Sequence, residues 1–107
     1  MTQTIVPIAA PNLLKVSLLA MMTSAGGIFS VGNALFRDSG ANAIAGVYST
    51  GGGSASIGEC RIEKAVLAGS TVSTTFKYRA GNSVGDTMTF IFGGVLNSFF
   101  EVSEIMT

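Results

Sequence analysis

The sequence contains no histidine and no tryptophan, and it has one cysteine among 107 residues. Without histidine, the chain lacks the most common general base and the most common metal ligand. The single cysteine, Cys60, cannot form an intramolecular disulfide and has no histidine partner that would activate it as a nucleophile. These absences argue against an enzyme and against a zinc protein. They predict a fold held by packing or assembly, with Cys60 as a small buried hydrophobic residue.

Charge is also scarce. Six basic and six acidic residues make up 11% of the chain and give a net charge of zero, whereas typical soluble domains are about 25% charged. The chain has no basic run, so the electrostatic footprint of a nucleic-acid-binding protein and a polybasic membrane-binding segment are both missing. The most apolar stretch, residues 13–22, is far shorter than the ~20 residues that cross a bilayer. We therefore expect neither nucleic acid nor membrane as a partner.

Hydrophobic residues, by contrast, make up 48% of the chain. A single domain of this length buries roughly two-thirds of the surface that its unfolded chain exposes. Such a small domain should need more polar cover than a large one, not less. The excess indicates that other subunits cover part of the surface. A surface of uncharged serine, threonine and glycine is the alternative explanation.

The carboxylates offer no convincing catalytic or metal site. Glu59 and Glu63 share a face of a predicted strand with Arg61 between them, which favours mutual neutralisation over a glycosidase pair. Asp38 and Asp86 fall in turns, where a carboxylate can accept backbone N–H groups. Neither has the spacing of a calcium-binding EF-hand loop. The sequence thus predicts no catalytic residue, no metal and no cofactor.

Short apolar, β-branched and aromatic runs, separated by Gly, Asn, Ser and Asp turns, extend along the chain. The predicted strands cover residues 13–23, 28–37, 43–48, 57–67, 71–79, 87–92 and 97–105. This pattern predicts an all-β antiparallel sandwich of seven or eight strands. The domain proper spans residues 12–107, with no linker and no second domain.

Residues 13–23 allow two interpretations. In a strand, alternate residues would share one face: Leu14, Val16, Leu18, Ala20 and Met22. In a helix capped by Asn12, an apolar stripe would form instead. Because the run is short for a lone helix and the rest of the chain is β-like, we favour a strand with both faces largely buried.

Residues 1–11 carry both prolines of the chain, Pro7 and Pro11. Each fixes its own φ and favours extended geometry in the residue before it. We predict an extended N-terminal arm that lies along a neighbouring subunit; a frayed terminus is the alternative. The candidate contact residues of this arm are Thr2, Ile5, Val6, Pro7, Ile8 and Pro11.

Aromatic and basic residues alternate near the C-terminal third of the chain. Lys77 and Arg79 interleave with Phe76 and Tyr78, which is a weak match to a platform for single-stranded nucleic acid. The alternation equally places the two aromatic rings in a core and the two cations on the solvated face. We favour the core interpretation.

Two stretches resemble a known family. Leu-Phe-Arg-Asp-Ser at residues 35–39, followed by Asn-Ala-Ile-Ala at 42–45, resembles a segment of the small jelly-roll domains of phage appendage and fibre proteins. Thr-Thr-Phe-Lys-Tyr-Arg at 74–79, a Gly/Asn turn, a strand and then Phe-Phe-Glu-Val-Ser-Glu-Ile at 99–105 resemble the way these domains end. Such domains are similar in architecture to the trimeric heads of complement and tumour-necrosis-factor-like proteins.

The resemblance implies a non-enzymatic jelly-roll sandwich that assembles as a homotrimer in a virion. Fibre domains usually follow a long shaft, and only a short segment precedes the first strong strand here. We therefore expect a capsid decoration, or cement, protein that binds the major capsid protein on the surface of a phage head. The alternative is a tail-fibre or appendage tip, whose loops at 49–56 and 79–86 would contact a host receptor. A virion-borne glycan hydrolase is a further alternative, but the chain offers no credible carboxylate pair for it.

Overall fold

A computed structural model of the chain describes residues 1–24, 29–51, 58–82, 88–90 and 98–107. Within these ranges the chain forms eight β-strands and no helix, which confirms the predicted all-β class and strand number. The strands are β1 (Thr2–Ile5), β2 (Leu13–Ser24), β3 (Phe29–Arg37), β4 (Ala45–Gly51), β5 (Gly58–Leu67), β6 (Thr74–Asn82), β7 (Met88–Phe90) and β8 (Phe99–Ile105). The described residues include no helix of the length and apolar character that would span a membrane.

The strands form two antiparallel sheets. Sheet A has the order β1-β6-β3-β4, and sheet B is centred on β2, which pairs with β5 along one edge and with β8 and β7 along the other. Of the hydrogen-bonded strand pairs in the described part of the chain, only β3 and β4 are consecutive in sequence. Most connections therefore pass from one sheet to the other, and segments distant in sequence become neighbours.

The edges of the two sheets also meet. Strand β4 of sheet A contacts β5 of sheet B, and β1 of sheet A contacts β8 of sheet B. The second contact brings the N-terminal segment against the end of the chain. This neighbourhood forms the candidate functional site described below.

Strand β2 shows why the two sheets pack together. Its even-numbered residues from Leu14 to Met22 are all at most 1% exposed, as period-two alternation requires of a core-facing strand side. On the opposite side, Leu13, Ser17, Leu19 and Met21 are half-buried and Lys15 is exposed. The strand interpretation of residues 13–23 is thus confirmed and the helical alternative is wrong.

One hydrophobic core lies between the sheets. Sheet B contributes Cys60, which is 1% exposed and so confirms the predicted burial of this residue. The other members of the buried cluster are Leu14, Val16, Leu18, Ala20, Met22, Val31, Leu35, Ile62, Ala68, Phe76, Tyr78 and Phe100. Phe76 and Tyr78 thus belong to the core, while Lys77 and Arg79 face outward, as the core interpretation of this alternation predicted.

The start of β6 differs from the prediction. It begins at Thr74 and not at Thr71. The Ser70 hydroxyl accepts the N–H of Val72, and the Thr74 hydroxyl donates to the Val72 carbonyl. These local side-chain bonds make a turn out of residues whose β-branched composition favoured a strand. Of the two predicted receptor loops, residues 49–51 and 79–82 lie in strands, and residues 52–56 and 83–86 lie outside the described residues.

A hydrogen-bonded polar pair lies inside the core. Asn33, which is 3% exposed, accepts a 2.6 Å hydrogen bond from the Tyr78 hydroxyl and donates to the Val47 carbonyl at 3.1 Å. Burial, and secondarily the charge of Cys60, raises the pKa of Tyr78 well above its usual value. The phenol therefore stays protonated and remains a donor, which links β6 to the β3–β4 hairpin.

Replacing Tyr78 by phenylalanine removes this donor while keeping the ring. We expect Tyr78→Phe to lower the free energy of unfolding by about 1–3 kcal/mol, because a buried amide oxygen loses this hydrogen bond. Urea denaturation followed by circular dichroism measures the change. Tyr48→Phe is the matched control: Tyr48 is 81% exposed, so its change should stay within about 0.5 kcal/mol. Equal effects at the two sites would contradict the proposed role of the pair.

Candidate binding surface at the N-terminal segment

The first part of the predicted arm is a strand of the chain's own sheet. Thr2–Ile5 pairs antiparallel with residues 74–77 of β6, and the hydroxyl groups of Thr4 and Thr75 lie 2.9 Å apart. The segment is therefore extended, as its sequence predicted. Its pairing satisfies backbone groups that β6 would otherwise present at a sheet edge.

Residues 6–12 then cross the end of the sandwich as an ordered loop. Pro7 is buried, whereas Val6 and Ile8 are 64% and 75% exposed. The carbonyl groups of Ala10 and Asn12 accept the N–H groups of Gly69 and Ala68, at 2.9 and 2.8 Å. The loop is thus fixed to the end of β5, and it presents two apolar side chains outward.

Glu104 fixes the same loop from the other side. Its carboxylate oxygens accept the N–H of Ile8 at 2.8 and 2.9 Å, and one of them also accepts the side-chain amide of Asn12. The Asn12 carbonyl oxygen in turn accepts the N–H of Thr107 at 3.3 Å. We call Glu104, Ile8 and Asn12 the Glu104 clasp. It joins residues that are more than ninety positions apart in the sequence.

Hydrogen bonds, and no ion pair, compensate the charge of Glu104. The ion pair between Arg37 and Asp38 does not include Glu104. The side-chain amide of Asn12, and then the backbone N–H groups of Ile8 and Ala9, lower the pKa of Glu104 below its ordinary value of 4.5. Because these donors favour the ionised carboxylate, the clasp is strongest when Glu104 is deprotonated.

Arg37 connects the two sheets beneath this end of the molecule. Its guanidinium group donates to the carbonyl groups of Leu67 and Ala68 at 2.9 and 2.7 Å. The same group lies 6.0 Å from the centre of the Phe76 ring. Arg37 thereby holds the end of β5, and with it the attached loop, against sheet A.

The clasp gathers exposed apolar side chains at one end of the molecule. Leu67 and Ile105 both pair with Leu13 of β2, one from each side. Together with the loop residues and the C-terminal segment, they form a surface that we call the apolar end. Its members, with their exposed fractions, are Val6 (64%), Ile8 (75%), Leu67 (56%), Ile105 (42%) and Met106 (72%).

The chemistry of the apolar end suits contact with another macromolecule. In the segments that build it, residues 6–12, 67–69 and 104–107, Glu104 is the only ionisable side chain, and the clasp uses its carboxylate internally. Among the described residues no group of His, Cys, Asp and Glu side chains could hold a metal ion. Fully burying one such aliphatic side chain is worth about 1.5–3 kcal/mol. Hydrophobic docking is the interaction that this surface offers.

The structure separates the predicted arm residues into two groups. Val6 and Ile8 lie on the apolar end, and Pro11 is exposed beside it, with its carbonyl accepting the Thr107 hydroxyl. Ile5 is half-buried and Pro7 is buried against the chain's own fold, while Thr2 is exposed on β1. Leu67, Ile105 and Met106 were not predicted, because they come from other parts of the sequence.

No protein-family model matches the sequence, and no curated protein matches it either. The resemblance to phage jelly-roll domains therefore stays a prediction from the motifs at residues 35–45 and 74–105. The interpretation of the apolar end depends on its own geometry.

Protonating Glu104 should loosen the clasp. Since its pKa in the folded protein is lowered, the carboxylate stabilises the fold above its ordinary value of 4.5 and this contribution is lost as the pH falls through the lowered value. We expect the free energy of unfolding of Glu104→Gln to fall less steeply below pH 4.5 than that of the wild type. Urea denaturation at a series of pH values measures this slope.

Glu101→Gln is the control, because Glu101 is exposed on the same strand, β8. This variant should keep the wild-type slope. A Glu104→Gln slope equal to that of the wild type would contradict the role assigned to the clasp.

Proposed function

We propose that this chain is a capsid decoration protein, a homotrimer that binds the major capsid protein on the surface of a phage head through its apolar end. The observation that carries the proposal is the set of strongly exposed apolar side chains on segments whose only ionisable side chain, Glu104, is held in the clasp. Exposed apolar side chains gathered at one end of a domain mark a site of macromolecular contact. The scarcity of charge in the whole chain supports the same conclusion.

The Glu104 clasp preorganises the loop of the apolar end for binding. Because Glu104 and the end of β5 already hold residues 8–12 by hydrogen bonds, docking need not order a flexible arm. A preorganised loop loses less conformational entropy on binding than a disordered one. The N-terminal segment thus acts as an ordered attachment loop, with Val6 and Ile8 as its contact residues.

Attachment would stabilise the shell by mass action. A ligand that binds only the assembled shell shifts the equilibrium toward assembly. A trimer that meets equivalent shell sites through its copies also gains avidity over a single chain. Neither effect requires a catalytic group, in keeping with a protein that acts by binding alone.

The jelly-roll topology and the trimer are part of this proposal. Early strands pair with late ones in both sheets, as β1 does with β6 and β2 with β8. Long-range pairing of this kind is typical of jelly-roll and Greek-key sandwiches. It supports the predicted resemblance to trimeric phage domains.

A tail-fibre or appendage tip that binds a host receptor is the second candidate function. The observation that favours it is Tyr48, an aromatic residue that is 81% exposed on sheet A. Exposed aromatic residues are common at recognition sites. Labelling the protein on intact particles distinguishes the two roles, since a decoration protein marks heads and a tip protein marks tails.

Polar substitutions in the attachment loop test the proposal. We expect Val6→Ser/Ile8→Ser to lower occupancy on particles by at least about tenfold, because two exposed apolar side chains no longer lose water on docking. Quantitative gel analysis of purified particles, after mixing undecorated heads with the variant, measures occupancy. Tyr48→Ser, which removes an even more exposed apolar group elsewhere, should keep full occupancy.

Light scattering tests whether the substitutions affect trimer assembly and not only attachment to the particle. The wild type, Val6→Ser/Ile8→Ser and Tyr48→Ser should each show a solution mass of three chains across a concentration series. Unchanged occupancy of Val6→Ser/Ile8→Ser would rule out the apolar end as the attachment surface. A monomeric wild type would rule out the trimer.

A further inference from the structure

The outer face of sheet A carries two cations that form no ion pair with any carboxylate in the part of the chain that the structure describes. Lys77 and Arg79 both face outward from β6, where Lys77 is half-buried and Arg79 exposed. The ion pair between Arg37 and Asp38 includes neither of them. In a chain with so few charges, two adjacent cations without a described carboxylate partner form a distinct positive site.

These cations border a small depression. Its volume is about 110 Å³, and its walls are Phe36, the turn at residues 38–41, Lys77 and Arg79. The guanidinium carbon of Arg79 lies 5.4 Å from the centre of the Phe36 ring. Stacking on the ring restrains the guanidinium plane and leaves its N–H edge available for an anion. We call this feature the basic depression.

Asp38 also borders the basic depression, but its charge is already compensated. One carboxylate oxygen accepts the Thr75 N–H at 2.8 Å, and the other lies 3.8 Å from Nε of Arg37. The Asp38 N–H also donates to the Thr75 carbonyl at 2.7 Å, which holds the turn in place. The charges of Lys77 and Arg79 therefore set the potential of the basic depression.

An exposed aromatic ring stands on the same face. Tyr48 pairs with Gly32, and Arg79 pairs with Ala34 two residues further along β3, so all of these positions share the outer side of sheet A. A shallow groove of about 390 Å³ runs beside Tyr48 over Gly32, Ala34 and Gly46. By strand spacing and rise, Tyr48 and Arg79 are roughly 12 Å apart.

We propose that this face binds an acidic oligosaccharide. A carboxylate of one sugar residue occupies the basic depression between Lys77 and Arg79, and the apolar face of a neighbouring sugar ring stacks on Tyr48. The volume of the basic depression suits a carboxylate group and not a whole sugar, which is why the rest of the ligand extends toward Tyr48. This site shares no residue with the apolar end, so it does not depend on the proposed attachment to a capsid.

Titration of the full chain with trigalacturonate, followed by ¹⁵N chemical shifts, tests the site. Maltotriose and inorganic phosphate, at the same ionic strength, are the parallel ligands. We expect trigalacturonate to bind with an affinity that weakens as salt is added, and maltotriose and phosphate to bind at least about tenfold more weakly. Lys77→Gln/Arg79→Gln should weaken trigalacturonate binding by about tenfold or more, because charge-assisted hydrogen bonds are lost.

Matched variants make the outcome specific. Tyr48→Ala should weaken trigalacturonate binding severalfold. Lys64→Gln, which removes an exposed cation of β5, should leave it unchanged, and so should the attachment-loop variant Val6→Ser/Ile8→Ser. Retained affinity in the double variant of Lys77 and Arg79 would overturn the proposal. Phosphate binding as tight as trigalacturonate binding, with no effect of Tyr48→Ala, would also overturn it and reveal a simple oxyanion site.

Discussion

Strand β2 is hydrogen-bonded along both of its edges, and the rest of the molecule depends on that pairing. Leu13–Met22 pairs with β5 on one side, while Leu13–Leu19 and then Met22–Ser24 pair with β8 and β7 on the other. The buried side of the same strand faces sheet A across the core. Among the described strands of sheet B no other strand lies between β5 and β8, so this sheet is complete only when the middle of the chain and its C-terminal segment have both paired with β2. Such non-local pairing slows folding relative to folds with local contacts.

The candidate site follows from this arrangement. Because β8 ends beside the beginning of β2, Glu104 reaches the loop that precedes β2 and accepts its N–H groups. The same pairing places Leu67 and Ile105 on either side of Leu13. A single ionised side chain thus orders a surface whose other members are apolar. The register of β2 with β5 and β8 therefore determines both which side chains enter the core and which lie at the apolar end.

The sequence predicted features that depend on local alternation. The core-facing side of β2, the burial of Cys60 and the outward direction of Lys77 and Arg79 all follow from the period of two in a strand. The turn at Asp38 was also predicted, because its composition is a local preference and the N–H of Gly40 closes it on the Arg37 carbonyl. The partner of the Asp38 carboxylate, the N–H of the distant Thr75, was not predictable in this way. The start of β6 was misplaced, since β-branched composition at residues 71–73 gave no sign of the turn that the Ser70 hydroxyl makes.

Features that depend on pairing between distant segments were not predictable in this way. Nothing local indicates that Thr2–Ile5 joins β6, or that Asn12 meets Glu104. One signal for the clasp was nevertheless present. Glu104 lies four residues after the buried Phe100, so both side chains are on the same side of β8. A carboxylate on the core-facing side of a strand requires hydrogen-bond partners. The role in a virion, the trimer and the partner stay predictions from a resemblance and from the exposed apolar surface.

Oxidative footprinting of Met106 tests the central claim, that another subunit covers the apolar end in the assembled state. Met106 is 72% exposed in the isolated chain. Tyr48, on the outer face of sheet A and outside the apolar end, is 81% exposed and serves as the control. Methionine oxidation follows solvent access, so mass spectrometry after a brief hydroxyl-radical pulse compares the free protein with the protein bound to particles. We expect Met106 to be oxidised severalfold more slowly on the particle, while modification of Tyr48 is unchanged. Equal oxidation of Met106 in the two states would contradict coverage of the apolar end.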